Sequence, residues 1–379
     1  GLLLVAFSSV FIKRLPYGEL RELKNTVFPF LIVLFVCSRF ITSVERARRV
    51  LVALATGVIV SLALVYSVFG TSALQVRGID PDHLSSSFRF SYVWLGVAGS
   101  ALFGAAITML APQRRLPRLS VIGLIYLIVA VLAVTLSGTR TVVVATAGFF
   151  PLLFLIRRLP MRVQIGAIWF LLLLALIVSC FPGLVLDLFP YEYYRAEESA
   201  SGAERLLDTY TYTNSVGSRF FNWQWMTDTA PWPGYVIGFD YARAIARSPS
   251  LGHPHNIFIW ALIMGGLPCA ILFFLFVGAV ITAALRVYVN ALPDHLPEAR
   301  ANLYLHLVLL PVLLTNSFVG GISLVLAVTL SITIFLTSHQ KNLATATEET
   351  LTQQSGDQNS RPTLNPPPRH STAPRTASK

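Results

Sequence analysis

Residues 252–256 read Gly-His-Pro-His-Asn and stand directly before an apolar run. Proline suits the first position of a helix, because its missing N–H would have no partner there. We therefore predict a helix that begins at Pro254, with His255 and Asn256 in its first turn. The positive end of a helix disfavours an imidazolium and attracts anions, which predicts a neutral base beside an anionic ligand. The alternative is that His255 and Asn256 only cap the helix.

Two arginines have placements that suit the binding of such an anion. Arg140 lies in the short link 136–141 and begins an apolar run, where its charge opposes the helix dipole. Arg219 lies in the aromatic stretch 218–225. A guanidinium matches phosphate with a bidentate fork, so both residues are predicted to hold a pyrophosphate. The alternatives are lipid headgroup contacts for Arg140 and stacking on neighbouring rings for Arg219.

Other polar groups carry weaker signals. Pro254 separates His253 from the helix, so His253 is at most an auxiliary group. His306 lies inside an apolar run, where a polar residue is a functional hypothesis by default, but we predict a packed, hydrogen-bonded histidine. No nucleotide-binding or metal motif is present. Cys37, Cys180 and Cys269 lack metal-ligand spacing and are predicted to be small packing residues without disulfides or zinc.

The composition predicts an all-α polytopic membrane helix bundle. Hydrophobic residues make up 54% of the chain and charged residues 12%, about half the roughly 25% that globular domains carry. A net charge of +11 spread over loops is ordinary at a membrane surface and does not indicate nucleic acid binding. We predict about ten spans. The first, 1–12, is truncated, and the others are 26–44, 50–70, 91–111, 119–137, 141–156, 164–182, 267–287, 303–318 and 322–338.

Arginine-rich loops mark the cytoplasmic side. Residues 45–49, 113–118 and 157–162 form one side by alternation, while the loop 13–25 breaks the pattern. The opposite side receives the Arg140 link and the long stretch 183–254, which we call the outer segment.

Four regions follow from this topology. Residues 1–182 form N-terminal membrane helices, and 183–254 form the outer segment, whose aromatic content argues against disorder. Residues 255–338 form the C-terminal membrane helices. Residues 339–379, rich in Thr, Ser, Gln and Pro, are predicted to be a disordered cytoplasmic tail.

These features together resemble the O-antigen ligase and polymerase family, polytopic glycosyltransferases of bacterial envelopes. The similarity rests on Ser-Gly-Thr-Arg at 137–140 and on an Arg followed by Trp and a Pro/Gly stretch at 219–238. It also rests on His-Asn-x-Phe opening a helix that contains Gly-Gly, at 255–266. Family ligases carry a second glycine three residues after the one matched by Gly266. Cys269 stands there in this chain, which leaves ligase and polymerase both open.

The resemblance implies transfer of a glycan from undecaprenyl pyrophosphate at the periplasmic face of the bacterial inner membrane. The acceptor is a lipid A core or another lipid-linked glycan. His255 matches the base, and Arg140 and Arg219 match the arginines that hold the pyrophosphate. Neither metal nor cofactor is implied, and direct displacement inverts the anomeric centre. Asn256, Trp223 and Trp225 are candidate substrate-binding residues, although packing of the outer segment explains the tryptophans equally well.

Other functions remain open at this point. Within the family, a protein O-oligosaccharyltransferase is a further possibility. A transporter or flippase of lipid-linked saccharides would also be polytopic, but its ionisable groups belong near the bilayer midplane. An enzyme that uses a monophosphate-linked lipid sugar would place acidic residues in the first outer loop, where Asp80 and Asp82 stand.

Overall fold

A computed structural model describes residues 17–69, 92–110, 117–136, 140–186, 219–227, 232–238, 256–315 and 320–359. The predicted span 1–12 lies outside these residues. All regular structure in the described residues is helical, as predicted. The helices are α1 (Tyr17–Phe40), α2 (Val44–Phe69), α3 (Tyr92–Met109), α4 (Pro117–Leu136), α5 (Arg140–Ile156), α6 (Met161–Cys180), α7 (Gly183–Leu186), α8 (219–227), α9 (Trp232–Ile237), α10 (Ile257–Val289), a 3-10 turn (Pro293–His295), α11 (Leu296–Thr315) and α12 (Gly320–Asn359).

Helices α6 and α10 are each long and apolar enough to cross a bilayer, and shorter apolar stretches occupy α1, α3, α4 and α5. Many large apolar side chains of α4 and α6 are exposed, among them Ile125, Leu132, Phe170 and Leu174. Soluble proteins rarely expose contiguous apolar surface of this extent, whereas lipid covers it without cost. The described helices therefore fit a membrane bundle.

Helices α1, α2 and α11 begin well before their predicted spans, and α11 starts at Leu296 instead of 303. Helix α1 starts at Tyr17, within residues expected to form a loop, because 19–24 are all good helix formers. Helix α2 starts at Val44, before its apolar run, because the Ser43 hydroxyl accepts a hydrogen bond from Arg46 N at 3.2 Å and caps the first turn. A search for apolar runs does not detect a helix start whose first turn is polar.

Small residues set the spacing between α3 and α4. A Cβ added at Gly99 would lie 2.9 Å from Ala133 Cβ, and one at Gly123 would lie 2.9 Å from Met109 Cβ. Such contacts let two membrane helices approach closely where no hydrophobic effect drives them together. Helix α11 forms the centre of the bundle and packs against α3, α5 and α10.

Two hydrogen bonds define the ends of the bundle. Tyr288 OH donates to Leu153 O at 2.9 Å, so the C-terminal ends of α5 and α10 lie together. Thr315 Oγ1 donates to Thr141 Oγ1 at 3.4 Å, so the C-terminal end of α11 meets the N-terminal end of α5. We call the end with the first turns of α5 and α10 the site end, and the opposite end the charged end.

An ion pair joins α2 to α11 at the charged end. Arg48 Nε lies 2.9 Å from Glu298 Oε1, and the Glu298 side chain is fully buried. Arg48 also contacts Glu45 at 2.7 Å. The pair links residues that are 250 positions apart in the chain.

The chain divides into two units, Gly1–Thr337 and Ser338–Lys379. Within the second unit, residues 338–359 are helical, so the prediction of disorder is wrong for 339–359. Ala, Leu, Glu, Gln and Lys recur between 340 and 354, and these residues favour a helix even when no face is buried. Residues 360–379 lie outside the described residues.

Candidate functional site

The first turn of α10 is capped by Asn256. Its backbone is extended, and its Oδ1 accepts from Phe258 N at 2.8 Å and Ile259 N at 3.2 Å. The predicted helix start at Pro254 is therefore wrong, because the helix begins at Ile257 and His255 precedes the cap. An asparagine side chain that satisfies two N–H groups defines a helix start more strongly than a nearby proline does.

The other half of the Asn256 amide reaches α6. Nδ2 donates to Ser179 Oγ at 2.9 Å, and Ser179 Oγ donates to Ala175 O at 2.6 Å. Both residues are buried. Because each polar atom of the Asn256 side chain is engaged within the protein, the structure gives this residue a capping and anchoring role. The same bond brings together the two ends of the outer segment.

A break in α10 lies two turns beyond the cap. Gly265 and Gly266 have non-helical torsions, and Gly266 adopts φ +71°. A Cβ at Gly266 would clash with the carbonyls of Val236 and Tyr235 in α9. Only glycine combines the left-handed conformation with so close a backbone approach. Cys269, which replaces the second glycine of the ligase pattern, is fully buried within α10.

Helix α8 brings part of the outer segment against the bundle. Tyr235 OH of α9 donates to Thr227 O of α8 at 3.2 Å, and Gly183 faces the Gln224 side chain. Trp223 is buried, with its ring 5.1 Å from that of Phe220, whereas Trp225 is 42% exposed. The two tryptophans therefore differ, and of the two only Trp225 has a large exposed surface.

The two candidate arginines are the first described residues of α8 and α5. Arg219 is partly buried and is the first described residue of α8. Arg140 begins α5 at the site end. The side chain of Arg140 and the residues His253 and His255 lie outside the described residues. The structure thus brings the backbone of Arg140 and the Asn256 cap to one end, and it links α8 to that end through α9.

Residues 125–274 match the family model described as O-Antigen ligase. The chain is therefore similar to that family over this stretch, which we call the O-antigen ligase region. It runs from α4 into α10 and contains Arg140, Arg219, His255 and Gly266. The match confirms the resemblance predicted from the motifs and implies glycosyl transfer of the O-antigen ligase or polymerase type. No curated protein matches the chain.

Ser179 is a residue of the O-antigen ligase region that the sequence did not single out. Its hydroxyl accepts a hydrogen bond from Asn256, which is 77 positions away in the chain. Its only sequence signal is a hydroxyl near the end of the apolar run 164–182. Polar residues near span ends are common, so that signal alone does not identify a partner.

His306 lies outside the O-antigen ligase region and has the packed role predicted for it. It is buried in α11, and its Nε2 lies 3.0 Å from Thr333 Oγ1 of α12. Asn302, one turn earlier, donates to the same hydroxyl at 2.8 Å. These side chains form a polar joint between α11 and α12. Within the described residues no group of three His, Cys, Asp or Glu is arranged to hold a metal ion.

Proposed function

We propose that the protein transfers a glycan from undecaprenyl pyrophosphate to an acceptor hydroxyl at the periplasmic face of the inner membrane. The acceptor is a lipid A core for a ligase or a lipid-linked glycan for a polymerase. The observation that carries the proposal is the O-antigen ligase match over 125–274, a stretch that contains Arg140, Arg219 and His255.

His255 acts as the base in this proposal. It takes the proton of the acceptor hydroxyl while the acceptor oxygen bonds to the anomeric carbon of the donor sugar. The bond from that carbon to the pyrophosphate oxygen breaks, and the configuration inverts. The proton then passes from His255 to solvent. His255 directly precedes Asn256, whose side chain is hydrogen-bonded to Ser179 of α6.

Arg140 and Arg219 stabilise the leaving pyrophosphate. The helix end itself contributes less than the sequence suggested, because Asn256 Oδ1 already occupies the N–H groups of Phe258 and Ile259. Charge neutralisation therefore falls to the guanidinium groups, which bind phosphate oxygens in pairs. A pyrophosphate whose charge is neutralised leaves without needing a protonating acid or a metal.

A substrate assay with the purified protein tests for glycan transfer and distinguishes ligase activity from polymerase activity. Lipid-linked repeat units alone should give a ladder of chain lengths if the protein is a polymerase. If it is a ligase, product should form only when lipid A core is added. No product under either condition would refute the proposal.

The role of His255 is tested by His255→Ala. We expect kcat to fall at least about 100-fold, the size of general base catalysis, with membrane insertion unchanged. His339→Ala removes an imidazole from the second unit and serves as the matched control. Normal transfer by the His255 variant would remove the assignment of the base.

A further inference from the structure

Two arginines at the charged end stack on aromatic rings at one helix joint. The Arg300 guanidinium lies 5.1 Å from the ring centre of Phe154, and that of Arg157 lies 5.5 Å from the ring centre of Tyr288. The Tyr288 hydroxyl bonds to Leu153 O, next to Phe154. Both guanidinium groups are therefore held at the last turn of α5.

Neither arginine has a carboxylate partner in the described part of the chain. The ion pairs there join Arg48 and Arg49 to Glu45 and Glu298. The Nε of Arg300 is buried and makes no hydrogen bond to any described residue. A buried donor on a cation is costly to leave unsatisfied, so an oxygen ligand is expected beside it.

The carbonyl groups at the end of α5 do not supply that ligand. Ile156 O accepts from Gln164 Nε2 at 2.5 Å, and Leu153 O accepts from Tyr288. These two carbonyls are thus engaged by neutral donors. The charge of the two arginines remains available for an anion.

We propose that Arg157 and Arg300 bind the phosphate of an anionic phospholipid in the leaflet at the charged end. Stacking uses the face of each guanidinium group and not its terminal N–H groups, which we expect to donate to phosphate oxygens. Phe154 and Leu155 are about half exposed beside the arginines and offer an apolar surface for acyl chains. That surface favours a lipid over free phosphate, and basic sites between membrane helices commonly bind such headgroups.

The test uses the full chain in phosphatidylcholine nanodiscs that contain increasing amounts of phosphatidylglycerol. Native mass spectrometry measures how much phosphatidylglycerol the protein retains. Arg157→Gln and Arg300→Gln should each weaken retention about tenfold, the equivalent of one charge-assisted hydrogen bond. Arg158→Gln is the matched control, because it removes an equal charge from the adjacent exposed position and should change retention less than about twofold.

Equal, small effects of all three variants would show unspecific attraction and overturn the proposal. Phe154→Leu keeps every charge but removes the ring under Arg300, and it should weaken retention about threefold. Thermal unfolding in phosphatidylcholine alone shows whether Arg300→Gln folds. If it does not, Phe154→Leu still tests the Arg300 site. Retention equal to wild type in Phe154→Leu, or complete displacement of the lipid by millimolar inorganic phosphate, would contradict the proposed lipid site.

Discussion

The two ends of the bundle hold their helices together by different chemistry. At the charged end, a buried carboxylate of Glu298 pairs with Arg48. At the site end, the described joints are neutral: Asn256 bonds to Ser179, and Thr315 bonds to Thr141. An ion pair thus joins helices at the charged end, whereas the joints described at the site end use only neutral groups.

The largest effect is expected at Gly266. Gly266→Ala forces a Cβ into the carbonyls of α9 at a left-handed torsion, and we expect a loss of about 3 kcal/mol from strain and displacement of α9. Gly148→Ala in α5 adds a methyl group to open space and should be neutral or slightly stabilising. Thermal unfolding in detergent measures both. Equal melting temperatures would mean that α9 does not depend on the break.

Arg219→Ala tests whether charge at the site end serves a ligand. Losing a forked contact to pyrophosphate should lower kcat/KM for the lipid-linked donor about 100-fold, and Lys should restore only a small part. Arg46→Ala removes an exposed arginine at the charged end and should leave kcat/KM unchanged. If both variants lose activity alike, the contrast between the ends is not functional.

Glu298→Gln tests the opposite end. The side chain keeps its shape but loses its charge, so we expect about 1–2 kcal/mol of destabilisation with normal kcat in the folded enzyme. The control is Glu45→Gln, whose half-exposed carboxylate should contribute at most about 0.5 kcal/mol. A lowered kcat at full folding would connect the charged end to catalysis.

The smallest stability change is expected for Ser179→Ala, about 1 kcal/mol for one lost hydrogen bond. Since Asn256 then loses its anchor, kcat should also fall, whereas Ser179→Thr should retain most of it. Ser100→Ala is a matched control, because Ser100 is likewise buried and bonded to a side chain and a carbonyl. It should lose similar stability without the change in kcat.

Apolar runs predicted much of the fold because burial in lipid demands continuous hydrophobic length. Helix α3 was expected at 91–111 and spans Tyr92–Met109. The starts of α1, α2, α10 and α11 were not predicted correctly, since caps and polar helix formers decide them. The helical residues 339–359 were missed for the same reason.

The candidate site was only partly predictable. Motif order singled out the stretches that contain Arg140, Arg219 and Asn256, and the family match over 125–274 includes all three. The contrast between Trp223 and Trp225 follows from helical geometry, because residues two apart point to opposite sides of a helix. The Ser179–Asn256 bond is a tertiary contact, and no local pattern in the sequence encodes it. The roles of His255, Arg140 and Arg219 stay predictions.

The bond between Ser179 and Asn256 has an evolutionary consequence. It joins the end of α6, where the outer segment begins, to the start of α10, where the outer segment ends. An insertion between α7 and α8 therefore need not shift α6 or α10. Lengthening a loop whose ends are held together costs little conformational entropy, about 0.6 kcal/mol for each doubling of loop length. Such a scaffold allows new substrate preferences to be acquired by exchanging one stretch of sequence while the membrane helices stay as they are.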